Sequence, residues 1–97
     1  MKRENVLKRL QSLKDQLEEV GVTRLGLFGS TVRDENTKGS DIDILLDFGA
    51  GHETYVNFLA ACHILENSFK RNKVDVVTRK GLSPYIGQTI MNEVVYV

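Results

Sequence analysis

The 97-residue sequence predicts an α/β (α+β) fold in which a small mixed β-sheet is flanked by helices. Three observations carry that expectation. Apolar residues recur at helical spacing near the N-terminus, they alternate with a period of two from Asp41 to Phe48, and a β-branched run at 73–78 follows a second helical stretch.

In chain order, Val6, Leu10, Leu13, Leu17 and Val20 line one side of a helix over residues 3–20, and Gly21 supplies its stop. Residues 24–28, RLGLF, are short, apolar and followed by Gly29, which predicts a strand; TVRDE just beyond is long enough for only a short helix. From Asp41 to Phe48, the residues Ile42, Ile44, Leu46 and Phe48 alternate with Asp41, Asp43, Leu45 and Asp47, as expected when one strand face is buried. Asp41 and Asp43 therefore share the opposite face. Residues 54–70 predict a second long helix with Val56, Leu59, Ala60, His63 and the Phe69 region on or near one side. KVDVVT at 73–78 predicts a strand interrupted by Asp75, and LSPYIGQTIMNEV a helix with Ser83 as N-cap and Pro84 at the first helical position, where a missing N–H costs nothing.

The length suits one domain, residues 1–97, and leaves no room for a second. Thirteen basic residues against 13 acidic ones leave no net field to attract nucleic acid, so direct nucleic-acid binding is not expected. Cys62 stands alone, which excludes an internal disulfide, and nothing at the N-terminus resembles a secretory signal; a cytoplasmic protein is expected. No apolar run approaches the ~20 residues needed to cross a bilayer, so no membrane association is expected either. The charge is polarised along the chain: residues 34–53 carry six acidic side chains against Lys38, and residues 70–80 five basic ones against Asp75.

The acidic pair raises a chemical question. Carboxylates at i and i+2 on a strand lie about 6.6 to 7 Å apart, and an aspartate on a neighbouring strand about 4.8 Å away can join them, so Asp75 is the candidate third member. Two bare charges at 4 Å repel by about 4 kcal/mol at an effective dielectric of 20, a large cost for a small domain. A divalent cation neutralises it, and oxygen-only ligands favour Mg²⁺ or Mn²⁺. Taken alone, the bland reading holds: Asp41 opens a strand and Asp43 faces solvent. Gly29 and Ser30 shift the balance, because glycine lets a backbone approach a phosphate closely and Ser30 at the start of a short helix offers a hydroxyl and dipole-aligned N–H groups.

Gly29-Ser30, ten intervening residues, Asp41-x-Asp43 at a strand head and an aspartate in a later β-branched strand form a constellation that resembles the nucleotidyltransferase superfamily related to DNA polymerase β. Within it the chain looks most like a minimal nucleotidyltransferase, the antitoxin partner of a HEPN-domain toxin, over nearly its whole length. The resemblance implies a polymerase β-like fold, with Gly29 and Ser30 holding the phosphates of a nucleoside triphosphate and Arg33 behind them. It implies that Asp41 and Asp43 bind two Mg²⁺ ions, with Asp75 as third carboxylate and activator of the attacking hydroxyl. The C-terminal NEVVYV resembles the ending of many such chains. Val32 and Asp34 flank Arg33 where many relatives carry a small residue before it and a glycine after it.

Other motif readings fail. NTKGSD lacks the order of a P-loop, since Lys38 precedes Gly39. His52, Cys62 and His63 have no paired-ligand spacing, and Cys62 and His63 fall in a helix pattern where core packing is the default. Tyr55, Tyr85 and Tyr96 read as packing or partner-contact residues, with no basic interleaving to suggest base stacking. Relatives that modify tRNA ends or antibiotics carry a second domain for the acceptor, whereas this chain stops at Val97. The expected activity is therefore transfer of AMP from ATP to a hydroxyl, foremost a tyrosine, of a partner HEPN ribonuclease toxin. The alternative from another class is a non-catalytic module that neutralises the toxin by occlusion.

Overall fold

The computed structural model describes residues 1–37 and 39–97, so Lys38 of the rejected P-loop reading lies outside the described residues. The elements run α1 (Arg3–Glu19), β1 (Val22–Phe28), β2 (Ile42–Phe48), α2 (Tyr55–Ser68), β3 (Val74–Thr78), α3 (Pro84–Glu93) and β4 (Val95–Tyr96). The four strands form one mixed sheet in the order β3-β2-β1-β4. β1 pairs antiparallel with β2 and β4, and β2 pairs parallel with β3 through the α2 crossover. The α+β class expected from periodicity is the one observed.

The two-residue period of β2 sorts its side chains into two cores. Ile42, Ile44, Leu46 and Phe48 join Val6, Leu10 and Leu17 of α1 and Ala61 and Leu65 of α2 on one face. Leu45 on the other face joins Phe28 of β1 and Ile90 of α3. Asp43 and Asp47 share the Leu45 face by alternation, so the smaller core and these acidic side chains lie on the same face of the sheet. Gly26 permits the chain leaving α3 to pass closely: a Cβ there would collide with the Val94 side chain and crowd the Tyr96 ring. Ser83 caps α3, its hydroxyl accepting from the Ile86 N–H at 3.3 Å, with Pro84 at the first helical position.

Two local expectations are corrected and a third is narrowed. The TVRDE segment is a turn rather than a short helix: Glu35 N–H closes on the Ser30 carbonyl at 2.9 Å, and Asp34 takes a left-handed φ of 56°. Adjacent Thr31 and Val32 are both drawn into the interior, a demand that a single helical face does not meet, and so short a helix could not meet its nucleation cost. In α2 the buried side is Ala61 and Leu65, leading to Phe69, while Val56 is 74% and Leu59 39% exposed and His63 is exposed. The helix carries apolar residues on more than one side, so two stripes at helical spacing competed, and packing against α1 and β3 selected the other one. Of the two readings given to the tyrosines, exposure leaves Tyr55 and Tyr85 with partner contact and not packing, while Tyr96 packs, with the Arg24 guanidinium 3.9 Å over its ring. The strand β4, hidden in the C-terminal VVYV, was not expected from the sequence.

Candidate active site

β1 ends at Phe28, and Gly29 turns the chain with φ +78°, a conformation that glycine adopts without a Cβ penalty. A Cβ at Gly29 would overlap the Asp43 carboxylate, so the glycine is required twice, by its backbone and by the approach. Asp43 stands opposite Phe28 in the antiparallel ladder and opposite Asp75 in the parallel one. The strand heads are tied by the Ile42 N–H donating to the Lys73 carbonyl at 2.9 Å. Sheet register thus brings Gly29, Asp43 and Asp75 to one rim, with Ser30 next to the glycine and Asp41 just before β2. Asp43 is half-buried and Asp75 exposed.

Electrostatics at this rim is strained. The Asp43 carboxyl is pushed up to about 6, first by burial and then by the charges of Asp75, Asp41 and Glu93, with Arg33 pulling the other way. Three other carboxylates therefore act on one half-buried acid, which is the setting that a cation relieves. The donors are all oxygen, suited to a hard divalent ion. Among the described residues, however, no three acidic, His or Cys side chains close into a metal cage. Strand register pairs Asp43 with Asp75, with Asp41 one residue before β2, and the three do not form a closed coordination shell. A metal held by these aspartates would take its remaining ligands from phosphate oxygens and water, as Mg²⁺ commonly does.

The phosphate cradle differs from expectation. Because Ser30 opens a turn and not a helix, no helix dipole is aimed from it. The Gly29 N–H instead donates to Glu93 Oε1 at 2.8 Å, and Arg33 Nη1 donates to Glu93 Oε2 at 2.7 Å. Arg33 Nε also meets Glu35 Oε1 at 3.2 Å, and the guanidinium pKa is raised, chiefly by its hydrogen bond to Glu93. Glu93 is the residue that sequence reasoning missed. Its one signal was position: an anion as the last residue of a helix opposes the helix macrodipole and so needs donors from elsewhere. A concavity of about 650 Å³ beside Met1–Glu4 and Asn36 is lined by none of these residues.

The chain matches the nucleotidyltransferase domain family over residues 4–97. It is 38% identical to the protein adenylyltransferase MntA of Thermococcus cleftensis over 84 residues, covering 87% of this chain and 83% of that one. A Methanocaldococcus jannaschii protein assigned as a protein adenylyltransferase is 33% identical over 97 residues, 98% of this chain and 93% of its own. A solved structure assigned as a minimal nucleotidyltransferase superposes with a TM-score of 0.83 at 27% identity, covering 98% and 95% of the two chains. A toxin–antitoxin structure with AMP-PNP shares the fold at a TM-score of 0.71 and 20% identity, over 92% of this chain and 69% of that one. With the glycine turn, the aspartate-bearing strand heads and this agreement in both sequence and fold, the chain belongs to the nucleotidyltransferase domain family.

Proposed function

We propose that this protein transfers AMP from ATP to a hydroxyl of a partner protein and thereby acts as the antitoxin of a HEPN-type ribonuclease toxin, in the cytoplasm. The observation that carries the chemistry is Asp43, half-buried against the Gly29 turn and pressed by the charges of Asp75, Asp41 and Glu93. The kinship with named protein adenylyltransferases supports a protein acceptor, and the shared fold with a toxin–antitoxin component supports the partner class.

In this reading Asp41 and Asp43 hold two Mg²⁺ ions, or Mn²⁺, at the strand heads. Bound there, the divalent cations would stabilise charge on the α-phosphate and on the leaving pyrophosphate. Gly29 and Ser30 receive the phosphates, and Arg33 supplies positive charge behind them. Asp75, exposed at the edge of the rim, is placed to accept the proton of the incoming hydroxyl. The hydroxyl oxygen bonds to the α-phosphorus as the bond to the β-phosphate oxygen breaks, and pyrophosphate leaves. A tyrosine is the preferred acceptor, since a phenol on an exposed segment reaches an open edge. The modification would add a negative phosphodiester to the toxin, opposing RNA binding through charge and bulk.

Intact-mass spectrometry tests the proposal. Toxin treated with a catalytic trace of this protein, ATP and Mg²⁺, then separated, should be heavier by one or more adenylyl groups and stay inactive. The Asp41→Asn, Asp43→Asn double variant should fold, as checked by circular dichroism, and leave the mass unchanged. Toxin that regains full ribonuclease activity at unchanged mass would replace catalysis by occlusion.

A further inference from the structure

Glu93 stands where the helix field is against it. It is the last residue of α3, the end at which unsatisfied carbonyls disfavour an anion, and no basic side chain shares that last turn. Two donors from a distant part of the chain hold it there, one to each carboxylate oxygen: the Gly29 N–H at 2.8 Å and the Arg33 guanidinium at 2.7 Å. A backbone N–H in a left-handed glycine turn, paired with a guanidinium and converging on one anionic group, is the donor arrangement that suits phosphate oxygens. Glu93 fills it with a carboxylate, a planar anion whose two oxygens are spaced much as two oxygens of a phosphate are.

We infer that Glu93 is an internal stand-in for phosphate, an affinity-determining residue whose carboxylate occupies in the free protein the donors that the triphosphate takes on binding. The inference rests on the nucleotidyl-transfer reading proposed above. Glu93 and a phosphate group compete for the pair, because both are anions and the Gly29 N–H and one Arg33 Nη1 hydrogen are already bonded to Glu93. Release is local: the Glu93 side chain is 23% exposed, and a change of its rotamer frees both donors while Val95 keeps its pairing with Leu27. The device keeps Arg33 and the Gly29 turn ordered before nucleotide arrives, at the cost of a competition that weakens binding.

Calorimetric titration of the full chain with AMP-PNP and Mg²⁺, and separately with inorganic tripolyphosphate, tests this. Glu93→Gln, which keeps the shape and removes the charge, should bind both ligands about tenfold tighter, the scale of one charge-assisted contact. Glu93→Asp, charged but too short to reach both donors, should fall between Gln and the parent protein. Unchanged or weaker binding by folded Glu93→Gln overturns the inference and makes Glu93 a residue that orients Arg33. A readout without any variant is the ¹³C shift of the Glu93 carboxyl carbon, which should move on saturation with tripolyphosphate; an unmoved resonance overturns the inference equally. If no nucleotide is ever transferred but Glu93→Gln still gains tripolyphosphate affinity, the transferase reading falls and the stand-in survives. If transfer is seen and the gain is absent, the reverse holds, and if neither protein binds either ligand, both fall.

Discussion

Burial and the charges of Asp75, Asp41 and Glu93 push the Asp43 carboxyl up to about 6, so the native state keeps this proton where an unfolded chain, with an aspartate near ~3.9, has released it. Between those two values the folded protein binds more protons than the unfolded one, and stability falls as pH rises through the window. Asp43→Asn, which has the same shape and no charge, should therefore raise the melting temperature at pH 7.5 without divalent cations. The gain should vanish near pH 4, and paired melts at the two pH values check the sign. Ser30 belongs to the same scale with a smaller effect. One neutral hydrogen bond contributes roughly 0.5 to 1.5 kcal/mol, so Ser30→Ala should lower kcat/KM by about three- to tenfold. Steady-state kinetics decides it, and activity as low as that of Asp43→Asn would show that Ser30 has a different role. At this scale Gly29, Asp43 and Asp75 could be singled out by residue type and spacing, and strand register brings them to one rim. Glu93 could not, because its partners Gly29 and Arg33 lie some sixty residues away in the chain, at separations of 64 and 60.

Elements with a single apolar stripe were read with the right face. In α1, Val6, Leu10, Leu13 and Leu17 are the buried residues, and β2 alternates as its period requires. α2 carries more apolar residues than one face can hold, and its buried side is Ala61 and Leu65. Leu65→Ala should accordingly cost about 2 to 5 kcal/mol in urea unfolding, because a fully buried leucine leaves a cavity. Val56→Ala, on the stripe favoured by periodicity alone, should change stability by no more than about 0.5 kcal/mol. Equal losses at the two positions would restore the sequence-based face. The Ser30–Asp34 turn teaches the same lesson in reverse: a segment whose residue types tolerate a helix is held in a turn because Thr31 and Val32 are both needed inside.

Across the whole molecule, equal numbers of acidic and basic residues mask a concentration of carboxylates on one rim of the sheet. That rim repels a free triphosphate, so nucleotide binding should depend on a divalent cation. In thermal melts, Mg²⁺ with AMP-PNP should raise the melting temperature through preferential binding to the native state, AMP-PNP with EDTA should not, and the Asp41→Asn, Asp43→Asn protein should show neither shift. A full shift in EDTA would remove the metal from the proposal. No helix among the described residues is long and apolar enough to cross a membrane. By itself the sequence determined the α+β class, the order of the long elements, the two-faced β2 strand and the spacing of Gly29, Ser30, Asp41, Asp43 and Asp75 that nominates a site. Each of these depends on local periodicity or on residue types at fixed spacing. Only the tertiary structure decided which stripe of α2 is buried, that VVYV closes the sheet as β4, and that Glu93 clasps Gly29 and Arg33. Those outcomes depend on which surfaces meet once the chain has folded, and local periodicity carries no information about contacts between residues so far apart along it.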